Sequence, residues 1–210
     1  MEHFIINIGR QLGAGGRAVG HILAEDYGIA YYDKEILDIA AEDSGYSKHI
    51  FERNDEKRGF FAQVVRGGLP LFSSGGYYQN AISDDALFRL QSEAIRKAAA
   101  DHSCIFIGRL ADYILRDMPE CVNVFLTASL EERIRTISER ADVTEREARR
   151  IIEKGEKGRA DFYNFYSDKR WGAAASYDLC INTSALGIDG SAKFIEAFIE
   201  KKMGIKPLTK

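Results

Sequence analysis

Along the chain, short apolar runs alternate with amphipathic stretches. His3–Ile8, "HFIINI", is an apolar run and predicts a buried strand. From Gly16 to Tyr27 the pattern changes, with Val19, Ile22, Leu23 and Tyr27 at helical spacing, which predicts a helix. Ile29–Tyr32 predicts a short strand ending at Asp33. Helical periodicity returns over Lys34–Glu42, where Ile36, Leu37, Ile39 and Ala40 recur. The polar stretch Ser47–Lys57, "SKHIFERNDEK", predicts a further helix. Residues 66–80, "RGGLPLFSSGGYYQN", hold four glycines and a proline and predict a loop.

The second half repeats the alternation more regularly. Ser83–Asp101 opens with a capping serine and two acids beside the positive helix end, and predicts a strong helix. Ser103–Ile107 and Val122–Leu126 predict strands. Helices are predicted over Ser129–Arg140 and over Thr144–Gly158, the latter opening on the capping-box pattern "TERE". Tyr177–Asn182 is the last predicted strand and Gly190–Lys202 the last helix. Strands that alternate with helices predict a parallel sheet covered on both faces. The stretch between Asp33 and Ser103 is too long for one simple crossover, so it is expected to form a helical insert.

Composition narrows the classes. With 210 residues, 45% of them hydrophobic, the chain suits one domain with a sizeable core. A net charge of -3 gives no bulk attraction for a polyanion, so any basic site must be local. No run is apolar enough to span a bilayer, and the N-terminus has neither a basic leader nor a small-residue cleavage site. A cytoplasmic protein without a membrane partner is expected. Cys104, Cys121 and Cys180 lie far apart without metal-ligand spacing and read as buried reduced thiols. His3, His21, His49 and His102 form no ligand pattern, so no metal ligands are assigned. No basic-aromatic array points to nucleic acid. Leu69, Leu71, Phe72, Tyr77 and Tyr78, apolar in a loop, hint at a contact surface and a homo-oligomer.

The chemistry starts at "IGRQLGAGGRAVG", residues 8–20. A strand, a glycine-rich turn and a helix start make an anion site, because backbone amides converge there and the helix dipole favours negative charge. Gly13–Ala18, "GAGGRA", fits the dinucleotide fingerprint, with Asp33 placed 20 residues after Gly13, near where a ribose-binding acid belongs. Loop length argues otherwise. Gly9, Arg10, Gln11 and Leu12 stand between the strand and Gly13, the reach that a P-loop needs to wrap a phosphate. In that frame Gly13-Ala14-Gly15 fits G-x-G, Gly16 stands where lysine belongs, and Arg17 stands where the magnesium-binding hydroxyl belongs. Arg10 or Arg17 would have to supply the missing charge. Gly16, lacking a side chain, leaves space into which a neighbouring guanidinium could fold. A nucleotide-phosphate loop, a dinucleotide loop and a plain structural turn all stay open on the loop alone.

Taken together, four segments resemble the nucleoside monophosphate kinases, and among them the cytidylate kinases and the cytidylate kinase-like branch. They are "IGRQLGAGGRAVGHILAEDYGIAYYDKEIL", "IFIGRLADYIL", "VNVFLTASLEERIRTISER" and "YDLCINTSALGID", in order along most of the chain. "FLTASLEER" is the strongest of these signals, and the branch's own loop carries G-S-G-G in place of G-x-G-K. The resemblance implies a P-loop three-layer α/β fold in a single domain. It would have a five-stranded parallel sheet, a helical acceptor-side insert over 34–102 and a basic lid over 133–172. It implies ATP-dependent phosphoryl transfer with Mg2+ to a small acceptor, most readily a nucleoside monophosphate such as CMP or dCMP.

In that picture Gly13, Ala14, Gly15, Gly16 and Arg17 hold the donor phosphates. Asp33 and Arg109 serve the acceptor, Arg109 by gripping its phosphate. An Asp at position 33 would equally cap a helix starting at Lys34. Arg10, Arg17, Arg133 and Arg159 are the candidate catalytic arginines, and Arg135 and Lys157 are further lid contacts. The other cations of the 133–159 stretch read as solvated helix charges. "DFYNFYSDKRWG", residues 161–172, is more aromatic than in ordinary cytidylate kinases, and its rings would stack on a base or pack at a lid hinge or subunit contact. A nucleotide-binding protein without kinase activity and an NAD-dependent oxidoreductase are the alternative functions.

Overall fold

A computed structural model describes residues 3–45 and 84–208. The predicted helix at Ser47–Lys57, the loop at 66–80 and its apolar residues lie outside them, as does much of the 34–102 insert. Five strands, β1 (Ile5–Arg10), β2 (Ala30–Tyr32), β3 (Cys104–Ile107), β4 (Cys121–Thr127) and β5 (Leu179–Asn182), form one sheet in the order β2-β3-β1-β4-β5. Every pairing is parallel. The helices among the described residues are α1 (Gly16–Tyr27), α2 (Glu35–Ser44), α3 (Asp84–Asp101), α4 (Ala111–Ile114), α5 (Leu130–Ala141), α6 (Glu145–Tyr166) and α7 (Thr183–Met203).

Alternation along the strands sorts the core into two layers. Ile6, Ile8, Ile105, Ile107, Val122 and Val124 face α1 and α7, where they meet Val19, Leu23, Ile195 and Ile199. Ile5, Cys104 and Phe106 point the other way, towards Ile36, Leu37, Ala94 and Ile95 of α2 and α3. Both faces of the sheet are therefore dry at its central strands β1, β3 and β4, which is why these read as continuous apolar runs rather than alternating ones. Cys104 and Cys121 are buried, but Cys180 on the edge strand β5 is exposed, against the expectation of three buried thiols; all three are free. Among the described residues no helix is long and apolar enough to cross a membrane.

The C-terminal half departs from the periodicity in two places. α6 was expected to stop at Gly158 and runs on to Tyr166, capped at its start by the predicted Thr144–Glu147 box. Packing overrides the helix-breaking cost of its glycines. Tyr166 stacks on Phe88 of α3 at 4.1 Å between ring centroids, and Phe162 packs edge-on against the same ring. The Tyr163 hydroxyl donates to Asp112 Oδ2 at 2.7 Å. The aromatic segment thus packs at the root of α6, where Trp171 and Tyr177 lie on Phe125. α7 begins at Thr183, where a link was expected, and kinks at Gly187 with φ 69°.

Asp112 is a carboxylate in apolar surroundings, and burial pushes its pKa up while the Tyr163 bond pulls it back. Tyr163→Phe removes that donor, leaves the acceptor buried, and should cost about 1–3 kcal/mol of stability. Urea unfolding of the two proteins measures it; equal midpoints would show that the bond does not hold α6 to α4.

Candidate active site

Three segments end at the same edge of the sheet, the carboxyl ends of the parallel strands, where open α/β folds bind ligands. The first is the turn after β1. Gly13 and Gly15 adopt φ of 87° and 75°, and Gly15 is the N-cap of α1. The first-turn amides of Gly16, Arg17 and Ala18 have no partner within the helix. Side chains from three directions pin the turn. Gln11 Oε1 accepts from the Ala128 amide at 3.3 Å, and Thr183 Oγ1 lies 3.2 Å from the Ala14 carbonyl. The Leu12 side chain is buried among Ile134, Ile137, Ala148, Ile151 and Ile152, inside the α5–α6 hairpin.

The second segment follows β3. Gly108, Arg109 and Leu110 have φ of 72°, 63° and 57°, three left-handed residues in succession, two of them with side chains. Such a run is strained. It is held by Gln91 Nε2, which donates to the Arg109 carbonyl at 3.2 Å, and by the Gly108 amide bonding Ile8 O at 3.0 Å.

Asp33, at the end of β2, is the third. Its carboxylate is buried and draws guanidiniums from the other two segments. Arg17 Nε donates to Asp33 Oδ2 at 2.6 Å. Arg10 Nη2 and Arg109 Nη2 lie 3.7 and 3.8 Å from Oδ1, ion pairs too long to be hydrogen bonds. Oδ1 is buried and without a hydrogen-bond partner. The carboxylate does not cap α2, whose N-cap is Lys34 without a side-chain bond.

Arg10 threads between two glycines. A Cβ on Gly16 would lie 2.8 Å from Arg10 Cγ, and one on Gly108 would lie 2.0 Å from Arg10 Nη1. The Arg10 side chain therefore occupies the space beside Gly16. Burial first, and then the charge of Arg159, push the Arg10 guanidinium down to about 9, against the opposing pull of Asp33. Arg159, whose Nη1 donates to the Arg10 carbonyl at 3.3 Å, is likewise lowered by burial to about 10, with Glu156 and Asp33 opposing. These four guanidiniums press on one another at a place where a bound anion would relieve them.

The structure thus brings Arg10, Arg17, Asp33, Arg109 and Arg159 together around the Gly13–Arg17 turn. Of the remaining predicted cations, Arg133 lies with its backbone against Gly13 of the turn but pairs elsewhere. Arg133 is buried on α5 and paired with Glu156. Arg135 is exposed, 4.0 Å from Glu132 one turn away, and Lys157 is exposed on α6. Among the described residues no three His, Cys, Asp or Glu gather as a metal cluster. Sequence reasoning missed Glu156, one acid among many on a basic helix. The signal that marks it is the preceding Gly155, where a Cβ would sit 3.1 Å from Leu12 Cδ2, so another segment comes close there.

A cytidylate kinase from Sulfurisphaera tokodaii is 26% identical over 93% of this chain and 94% of its own length. A solved structure of an uncharacterized protein from Eubacterium ventriosum is 28% identical, with a TM-score of 0.70 over 94% of this chain and 99% of that one. A shikimate kinase from Bacteroides thetaiotaomicron, 13% identical, shares the fold with a TM-score of 0.56 over 94% of this chain and 98% of that one. The model of the cytidylate kinase-like family matches residues 5–185, from β1 into the start of α7, and the chain belongs to that family.

Proposed function

We propose that the protein transfers the γ-phosphoryl group of ATP to a small acceptor, and that the acceptor is a nucleoside monophosphate such as CMP or dCMP. The observation that carries this reading is the gathering of Arg10, Arg17, Arg109 and Arg159 around Asp33, beside the amides that open α1. Family membership supports the reaction class, and the 26% identical relative named a cytidylate kinase supports the acceptor.

In this reading the amides of Gly13, Ala14, Gly15, Gly16 and Arg17 hold the donor phosphates. An oxygen of the acceptor phosphate forms the new bond to the γ-phosphorus while the bond to the bridging oxygen breaks and ADP leaves. Such a transfer needs charge neutralised on the phosphoryl oxygens and the reactants held in line. Arg10 takes the part of the absent lysine, Arg17 and Arg159 face the transferring group, and Arg109 grips the acceptor phosphate. Residues 133–172 act as the lid that excludes water, with Arg135 and Lys157 as its further cations and Arg133 held by Glu156, and 34–102 presents the acceptor's base. Mg2+ bound with ATP would neutralise phosphate charge, and Asp33 serves the acceptor side by orienting the three arginines that engage it.

The dinucleotide reading fits less well, because Asp33, the acid a ribose would need, is engaged by three arginines. A screen of Mg2+-dependent transfer from ATP across the common nucleoside monophosphates tests the proposal, with CMP or dCMP expected as the best acceptor. ATP binding without transfer to any of them would leave a nucleotide-binding protein without kinase activity. Tight NAD binding with poor ATP binding would favour the oxidoreductase.

Two substitutions separate the roles. Arg109→Ala should weaken acceptor binding by about 1.5–3 kcal/mol, the worth of a charge-assisted bond, and leave ATP affinity nearly intact. Equal losses for both ligands would make Arg109 structural. Arg17→Ala should lower turnover on the order of 10³-fold and ATP affinity far less, because its charge acts mostly on the transferring group. A loss confined to affinity would remove Arg17 from the transition state.

A further inference from the structure

Glu156 lies on α6, outside every role assigned so far, yet it meets the phosphate turn directly. Its Oε1 accepts from the backbone amide of Leu12 at 3.2 Å. The same oxygen pairs with Arg133 Nη1 of α5. Three residues on, Arg159 bonds the carbonyl of Arg10 at 3.3 Å, and Glu156 is the strongest attraction opposing the lowering of its pKa. The turn is thus fastened to one face of α6 at two backbone points, the Arg10 carbonyl and the Leu12 amide. Between them the Leu12 side chain is plugged into the α5–α6 core. Gly13 follows at once and has no room to move towards α5: a Cβ there would lie 3.0 Å from the Arg133 backbone.

We infer that Glu156 is a positioning residue for the donor phosphates: by accepting the Leu12 amide it fixes the direction in which the following amides, Gly13 to Arg17, point. The inference rests on the reading of that turn as the phosphate site. An amide turn binds phosphate only when its N–H groups converge, and a turn released at Leu12 can rotate them away. Glu156 carries negative charge close to an anion site, so by Coulomb's law alone it should weaken anion binding. Fixing the turn has the opposite sign, which makes the two effects separable.

Two variants divide reach from charge. Glu156→Asp keeps the charge and withdraws the oxygen by one methylene; Glu156→Gln keeps the reach and an accepting oxygen but loses the charge. The probe is inorganic tripolyphosphate, followed by calorimetry on the full chain, so the readout does not depend on turnover. Glu156→Asp should bind it about fivefold or more weakly, the worth of one hydrogen bond, and Glu156→Gln should stay within about twofold of the parent or bind more tightly. The reverse order, or equal weakening in both, would overturn the inference, because charge and not the accepted bond would then be what the turn needs. If Glu156→Asp does not fold, amide exchange in the parent protein decides: Leu12 should be protected by about 100-fold or more over a free amide, and an unprotected Leu12 overturns the inference. A parent that binds tripolyphosphate but transfers phosphate to no acceptor would contradict the proposed function and leave this inference standing.

Discussion

Asp33 is a buried carboxylate that holds guanidiniums from two other chain segments, and most of the site's construction follows from accommodating them. Arg17 reaches it from the first turn of α1, Arg10 from the end of β1 and Arg109 from the turn after β3. Burying several like charges around one acid costs energy, and the lowered pKa values of Arg10 and Arg159 express that cost. The glycines on either side of Arg10 are the steric counterpart. Neither Gly16 nor Gly108 can carry a side chain while Arg10 passes between them. The left-handed run at 108–110 is part of the same arrangement, since it sets the backbone from which Arg109 turns towards Asp33.

The turn and the α5–α6 hairpin form one packed unit. Leu12 belongs to the hairpin's apolar core, Arg159 and Glu156 bond the turn's backbone, and Arg133 backs onto Gly13. In the proposed reaction this links the residues that would hold the donor to the helices that would close over it. A movement of the hairpin would carry the turn's amides with it.

Much of this architecture can be read from the chain. The five strands and α1 follow from local pattern, because β1, β3 and β4 are buried on both faces and α1 ends at a glycine that caps it. The space beside Gly16 could be inferred from the missing side chain. What local pattern could not show was set by distant contacts. α6 continues past Gly155 and Gly158 because Phe88 and Asp112 receive its aromatic residues. Arg133 looks like any lid cation until its pairing with Glu156 is seen. Cys180 sits in an apolar segment but on an edge strand, where one face is open. α4 is one turn long, too short for periodicity to register.

In the proposed reaction Arg10 does the work of a lysine missing from Gly16. Phosphoryl transfer by Arg10→Ala, compared with the double variant Arg10→Ala/Gly16→Lys, tests it most directly. The single variant should lose turnover on the order of 10³-fold, the scale of a charge acting on the transferring group. In the double variant the lysine enters the space that Arg10 Cγ and Cδ no longer fill, beside a Cβ that remains 3.0 Å away, and turnover should recover by about tenfold or more. An Arg10→Ala protein that turns over like the parent would show that Arg10 does not replace that lysine.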